Sequence, residues 1–138
     1  MTIGVCLVVD QAVRAFVPVL AFTLGWTHSI EKTNWEEDWQ VVDAGLALVE
    51  ARIEGSGAGM EPPEGAVLRH GVWHYAPAPG ARVHASLSLA VSPYTEPYRF
   101  CIDGRCRTLA EVAGISSPFA TVGIERCDST LTTSGASR

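Results

Sequence analysis

The sequence predicts an all-β protein: a single-domain antiparallel β-sandwich or barrel-like sheet of about eight short strands, with at most one short helix. Three observations support this fold class. Apolar and polar residues alternate with a period of two over several stretches. Breaks rich in glycine and proline separate those stretches. No long segment has the 3.6-residue apolar period that would place helices between parallel strands.

Composition is typical of one globular domain. The chain has 138 residues, of which 47% are hydrophobic and 18% charged, and this balance allows a sizeable core without help from metals or disulfides. We expect one β-rich domain over residues 1–127 and a disordered, polar tail over 128–138. A formal net charge of -5 disfavours nucleic acid as a partner, because phosphates are repelled.

The start of the chain is apolar but does not predict a membrane span. Asp10, Gln11 and Arg14 interrupt residues 3–26, so no uninterrupted run reaches the ~20 residues that a spanning helix needs. We interpret its beginning as two strands joined by a turn at residues 10–12. Without a preceding basic segment or a cleavage site, the expected compartment is the cytoplasm; the periplasm is the alternative if the true start lies upstream.

Strands and turns follow from the alternation and from the turn residues. We predict strands over the stretches in which alternation is clearest, namely 22–28, 35–42, 46–53 and 83–91. A short hairpin turn joins the strand over 35–42 to the strand over 46–53, and Asp103-Gly104 predicts another hairpin. A capping box at Thr108 predicts one short helical turn that stops at Gly114, before a last strand over 121–125.

Three polar residues stand out on apolar strand faces. Alternation places His28 and Glu37 on faces that carry tryptophans, and Glu50 on a face that carries leucines. If those faces meet in the core, the three residues form one polar cluster, because buried charges need partners. A histidine with carboxylates suits a divalent transition metal. The alternative is a structural network in which His28 pairs with a carboxylate.

A glycine-rich segment, GSGAGMEPPEG, follows the strand that carries Glu50. Gly57 and Gly59 allow backbone N–H groups to approach an anion, and Met60 lines a pocket or caps the core. The segment lacks the Lys-Ser/Thr of a phosphate-binding loop. We expect it beside the His28 and Glu50 cluster; the alternative is a tight crossover in which glycines only permit positive φ angles.

The segment CIDGRC contains two of the four cysteines. A two-residue turn at Asp103-Gly104 places Cys101 and Cys106 directly opposite each other, in a non-hydrogen-bonded pair. We expect a cross-strand disulfide in an oxidising compartment and two thiols in a reducing one. A catalytic cysteine is disfavoured, because no histidine lies nearby in the sequence.

These residues resemble a known family. HSIEKTNWEEDW and LVEARIEGSGAGMEPPEG are similar to the small bacterial proteins catalogued as domain of unknown function 1850, over about residues 6–107. The most specific parts are His28-Ser29-x-Glu31, the pair Glu36-Glu37, Glu50 and the run from Gly57 to Met60. Members are often encoded beside TAXI-type tripartite ATP-independent periplasmic transporters, so the resemblance implies an accessory role in solute uptake.

Two functions from different classes remain. The first is a β-rich binding or accessory module associated with a TAXI-type transporter, whose partners are transporter components or a small solute. It would bind a metal ion or a small anionic ligand through the residues that the clusters and the resemblance single out: His28, Glu31, Glu37, Glu50, Gly57, Gly59 and Met60. The second is a metal-dependent hydrolase that uses His28, Glu37 and Glu50, although no catalytic motif has the required spacing.

Overall fold

Two antiparallel sheets make up the part of the chain that our computed structural model describes, residues 2–27, 32–54, 64–78 and 82–129. The strands are β1 (Ile3–Val9), β2 (Ala12–Val17), β3 (Ala21–Thr27), β4 (Asn34–Val42), β5 (Gly45–Glu54), β6 (Val67–Arg69), β7 (Val72–Tyr75), β8 (Val83–His84), β9 (Ser86–Val91), β10 (Arg99–Ile102), β11 (Arg105–Thr108) and β12 (Ala120–Asp128). One short helix, α1 (Leu109–Ala113), accompanies them. The predicted all-β fold class is confirmed.

The smaller sheet joins the two ends of the described chain. Its strand order is β2-β1-β12-β9, so the first strand pairs with the last. β1 and β2 form the predicted hairpin, whose turn residues Asp10 and Gln11 have φ angles of 52° and 66°. A two-residue hairpin turn favours the left-handed backbone conformation at both turn residues, because the twist of such a turn matches the twist of the two strands.

The larger sheet carries the candidate site. Its order is β11-β10-β3-β4-β5-β7-β6, and β8 also pairs with β5. The ladders between β3 and β4 and between β4 and β5 are the longest of this sheet and are antiparallel. These three strands are among those that the alternation of the sequence predicts. None of the helices in the described ranges is long and apolar enough to cross a membrane.

The core lies between the sheets and under the helix. β1 and β12 contribute one wall, and alternate residues of β3, β4, β5 and β10 contribute the other. The fully buried large side chains are Leu7, Leu24, Leu46, Leu109, Ile124, Val5 and Val122. Removing that apolar surface from water supplies the main stabilising contribution, and it also determines which face of each strand is the inner face.

The stretch 83–91 differs from its prediction as one strand. It divides at Ala85 into β8, which pairs with β5 of the larger sheet, and β9, which pairs with β12 of the smaller sheet. The chain thus crosses between sheets where the alternation continues unbroken. Gly45 permits the crossing: its φ is +142°, and a Cβ there would lie 2.3 Å from the His84 carbonyl oxygen.

Turn and cap chemistry appear where the sequence predicts them. Asp103 and Gly104 have φ angles of 51° and 80° and close the hairpin of β10 and β11. Thr108 caps α1: its side chain accepts from the Glu111 amide, and the Glu111 carboxylate accepts from the Thr108 amide. Gly114 ends the helix in the left-handed conformation with φ 67°.

Candidate functional site

Glu37 lies on the inner face of the larger sheet. It stands opposite Leu24 of β3 and Ala51 of β5, which belong to the buried core. Trp39, two residues further along β4, donates a hydrogen bond from its indole Nε1 to Glu37 Oε1 at 3.2 Å. The predicted placement of Glu37 on the tryptophan face is confirmed.

The surroundings of Glu37 are partly apolar. Burial raises the pKa of its carboxyl, and the hydrogen bond from Trp39 and the charge of His84 offset only part of that shift. The His84 ring meets the Trp39 ring edge-on at 5.4 Å between centroids. The pKa of Tyr98 is also raised, first by burial and then by the negative charge of Glu37. The Glu37 carboxylate therefore interacts electrostatically with both an imidazole and a phenol.

Aromatic side chains form a row beside Glu37. Trp26 and Trp35 are cross-strand partners whose rings stack at 6.0 Å between centroids, and Tyr98 meets Trp26 edge-on at 5.6 Å. Trp35 in turn stands opposite Ile53, and Ile53 stands opposite Trp73 of β7. The row crosses β3, β4, β5 and β7, and its aromatic members are half-buried rather than enclosed.

Glu50 lies on the other face of the sheet, so the prediction that it shares a face with Leu48 and clusters with Glu37 is wrong. The β4–β5 ladder pairs Asp38 with Glu50 but Trp39 with Leu48, which leaves Val49 as an extra residue. Such a β-bulge reverses the alternation of the strand beyond it. Glu50 therefore faces outward with Asp38, while Glu37 faces inward.

Arg52 forms ion pairs with three carboxylates of the outer face. Its guanidinium contacts Asp38 through two nitrogens at 2.7 and 2.8 Å, Glu50 at 2.9 Å and Glu36 at 3.1 Å. Thr23 donates a further hydrogen bond to Asp38 at 2.7 Å. Hydrogen bonding from Arg52 is the main reason that the pKa of Asp38 is lowered, and hydrogen bonding to Asp38 raises the pKa of Arg52.

Two open grooves adjoin this network. One, of about 480 Å³, lies between Thr23, Asp38 and the tip of the β10–β11 hairpin. The other, of about 340 Å³, is bordered by Glu50 and His74, whose Oε1 and Nδ1 atoms are 3.4 Å apart. Arg52 lies between the carboxylates that border the two grooves, and its single positive charge leaves the cluster of Glu36, Asp38 and Glu50 net negative.

The described residues contain two disulfides. Cys101 and Cys106 stand directly opposite each other across the β10–β11 hairpin and are bonded, which confirms the predicted register. Cys6 and Cys127 join β1 to β12 across a sequence separation of 121 residues, a pairing that the sequence did not predict. All four cysteines of the chain are thereby bonded.

Five of the predicted site residues lie outside the described ranges: His28, Glu31, Gly57, Gly59 and Met60. The glycine-rich segment, which we expected beside the cluster, also lies outside the described ranges. So do residues 130–138 of the predicted tail. Across the described part of the chain, no group of three or more His, Cys, Asp or Glu side chains is arranged to hold a metal ion.

Sequence reasoning missed the partners of Glu37 and of Glu50. Tyr98 precedes β10, and His84 lies at the crossover between the sheets, so neither is near Glu37 in the sequence. Arg52 was detectable, because it is two residues from Glu50 on the same strand and must share its face. The bulge at Val49 has no comparable signal, since valine is an ordinary strand residue.

Comparisons with known proteins identify one family. Residues 22–109 match the family described as Domain of unknown function (DUF1850). This range contains β4 to β11, all of β3 except its first residue, Glu37 and the aromatic row. No curated protein and no solved structure matches the chain.

Proposed function

The chain belongs to the family described as Domain of unknown function (DUF1850), and on that premise we propose that it is a binding module that holds a small solute at the inner sheet face around Glu37. We propose further that it serves a TAXI-type transporter as an accessory protein. The single observation that carries the binding proposal is the half-buried Glu37 carboxylate within a row of half-buried aromatic side chains.

A binding role is consistent with the chemistry of this face. A carboxylate in partly apolar surroundings destabilises the fold unless something compensates it, and functional sites are where such groups concentrate. Aromatic rings with a few polar groups among them are the usual lining of small-molecule sites. The face therefore offers recognition groups, whereas the outer face offers charges that are already paired with Arg52.

The two disulfides support a periplasmic setting for this role. Disulfides form and persist in oxidising compartments and are rare in a reducing cytosol, and here they join Cys6 to Cys127 and Cys101 to Cys106. We propose that the domain works in the periplasm, where such transporters meet their solutes.

The alternative is a metal-dependent hydrolase that uses His28, Glu37 and Glu50. The bulge at Val49 disfavours it, because Glu37 and Glu50 project from opposite faces of the sheet and cannot bind the same ion. A metal bound by His28 and Glu37 would require further ligands from outside the described ranges.

A solute panel tests the proposal. We expect at least one solute among amino acids, amines, organic acids and sugars to raise the Tm of the oxidised protein, because a ligand of the native state stabilises it by mass action. Glu37→Gln should abolish that shift. Glu36→Gln is the matched control: the same change, one residue away, on the outer face.

The accessory role is tested with the same variants in cells. Deletion of the gene should reduce uptake of the solute found in the panel, and the native protein and the Glu36→Gln variant should restore it. The Glu37→Gln variant should not. A panel without any stabilising solute, or equal shifts in both variants, would overturn the binding proposal; unchanged uptake after deletion would overturn the transporter association.

A further inference from the structure

We propose that the ligand of the face around Glu37 is a small organic cation, an ammonium group carried on an apolar frame. This inference rests on the proposed binding function and names the class of solute. It follows from two features on the same side of one sheet: a carboxylate that forms no ion pair with a Lys or Arg of the described residues, and several aromatic rings.

Among the described residues, no Lys or Arg forms an ion pair with the Glu37 carboxylate, and His84 is the charged group that acts on it. Arg52 is the cation of the ion pairs on the larger sheet, and its acidic partners Glu36, Asp38 and Glu50 lie on the outer face. Glu37 instead accepts one neutral hydrogen bond, from Trp39. A half-buried carboxylate without a counter-ion attracts a cation more strongly than an exposed one does, because less water screens it.

The neighbouring rings favour an organic cation over a hydrated inorganic one. Trp26 and Trp35 stack on each other, and Tyr98 contacts Trp26 with its edge. Indole and phenol faces attract an ammonium group within ~6 Å through their quadrupoles, and they also bury the alkyl groups that surround it. A metal ion would gain nothing from the rings and would need several oxygen or nitrogen ligands.

The remaining polar neighbours fit the same ligand. An anion would be repelled by Glu37, so a carboxylate or phosphate solute is disfavoured at this position. Tyr98 offers a phenol and His84 an imidazole at the border of the face, and both interact electrostatically with Glu37. These groups can hydrogen-bond a polar end of the solute, while its charged end lies over the rings.

The contrast between the two faces explains why a cation would bind here. The outer face has three carboxylates but also Arg52, which contacts all of them within 3.1 Å. There, a cation would compete with the Arg52 guanidinium for carboxylate oxygens, although the three carboxylates together outweigh its single positive charge. The Glu37 carboxylate accepts a neutral hydrogen bond from Trp39, so a cation there would not compete with an Arg of the described residues.

Titration with choline and its neutral isostere, 3,3-dimethyl-1-butanol, tests the inference. The two probes have the same shape and differ in charge, and both are followed by tryptophan fluorescence and calorimetry of the oxidised protein. We expect saturable choline binding that is at least about tenfold tighter than binding of the isostere. Glu37→Gln should weaken choline by at least about tenfold, and Glu36→Gln should leave it unchanged.

Three outcomes would overturn the inference: equal affinity for choline and its isostere, unchanged choline affinity in Glu37→Gln, or no choline binding with a Kd below about 10 mM. A Trp35→Leu variant adds a second measurement that keeps Glu37 intact and should weaken choline more than the isostere. If choline fails but a neutral or anionic solute of the panel binds in a Glu37-dependent manner, the binding function stands and only the ligand class is wrong.

Discussion

At the scale of single residues, Glu37 should destabilise the fold at neutral pH. Burial raises its pKa above the ordinary value of 4.5, so folding favours the protonated form. A group whose pKa is higher in the folded than in the unfolded state binds its proton more tightly in the folded state. It therefore stabilises the fold fully below its unfolded pKa, and this stabilisation is lost as the pH rises through the folded pKa. The hydrogen bond from Trp39 and the charge of His84 offset only part of the shift, and the negative charge of Glu37 in turn raises the pKa of Tyr98.

We therefore expect Glu37→Gln to stabilise the protein at pH 7, because the amide retains an acceptor for the Trp39 indole and has no charge to desolvate. The gain should shrink as the pH falls and should vanish below about pH 4.5. Urea unfolding at a series of pH values measures it. Glu36→Gln, which removes a partner of Arg52, should give no such gain. A loss of stability in Glu37→Gln at pH 7 would contradict the expectation.

The two carboxylates of the predicted cluster show how far residue-level prediction reaches. The face of Glu37 was predictable, because alternation is unbroken from Trp35 to Trp39. The face of Glu50 was not, because one additional residue at Val49 reverses the alternation. A period-two pattern carries no information about such an insertion unless the partner strand is known.

At the scale of elements, α1 depends on its capping box. Thr108 and Glu111 satisfy each other's backbone amides at 3.1 and 2.9 Å, and the helix buries Leu109 and Ala113 in the core. We expect Thr108→Ala to reduce the free energy of unfolding by about 1 kcal/mol, whereas Thr108→Ser should retain most of it. Urea denaturation compares the three proteins. Equal losses for alanine and serine would show that the methyl group, not the cap, matters.

Elements were predictable where their signals are local. Alternation, the Asp-Gly turn and the capping box each lie within a few residues and each produced the predicted element. The stretch 83–91 failed because a continuous alternation served two different sheets. The division depends on Gly45, which is distant in sequence and allows the backbone at His84 to approach.

At the scale of the whole molecule, the two disulfides should contribute unequally. The chain-entropy relation gives about 5 kcal/mol for the sequence separation of 121 between Cys6 and Cys127 and about 2 kcal/mol for the separation of 5 between Cys101 and Cys106. We expect the double alanine variant of the first pair to lose more stability than that of the second, as measured by urea unfolding of oxidised proteins.

Reduction of each variant serves as its control. On reduction, the variant that retains only Cys101 and Cys106 should lose about 2 kcal/mol, and the one that retains only Cys6 and Cys127 should lose about 5 kcal/mol. The opposite order would mean that the hairpin disulfide, rather than the bond between the first and last strands, determines the stability of the domain.

The sequence by itself determined the β-rich fold class, most strand positions, the cross-strand cysteine pair, the cap of α1 and the inner face of Glu37, because each follows from periodicity or turn chemistry within a few residues. Four features were seen only in the tertiary structure. They are the bulge that turns Glu50 outward, the division of residues 83–91 between two sheets, the bond between Cys6 and Cys127, and the proximity of His84 and Tyr98 to Glu37. These features depend on the register and proximity of segments far apart in the chain, and packing of the two sheets, not local propensity, sets both.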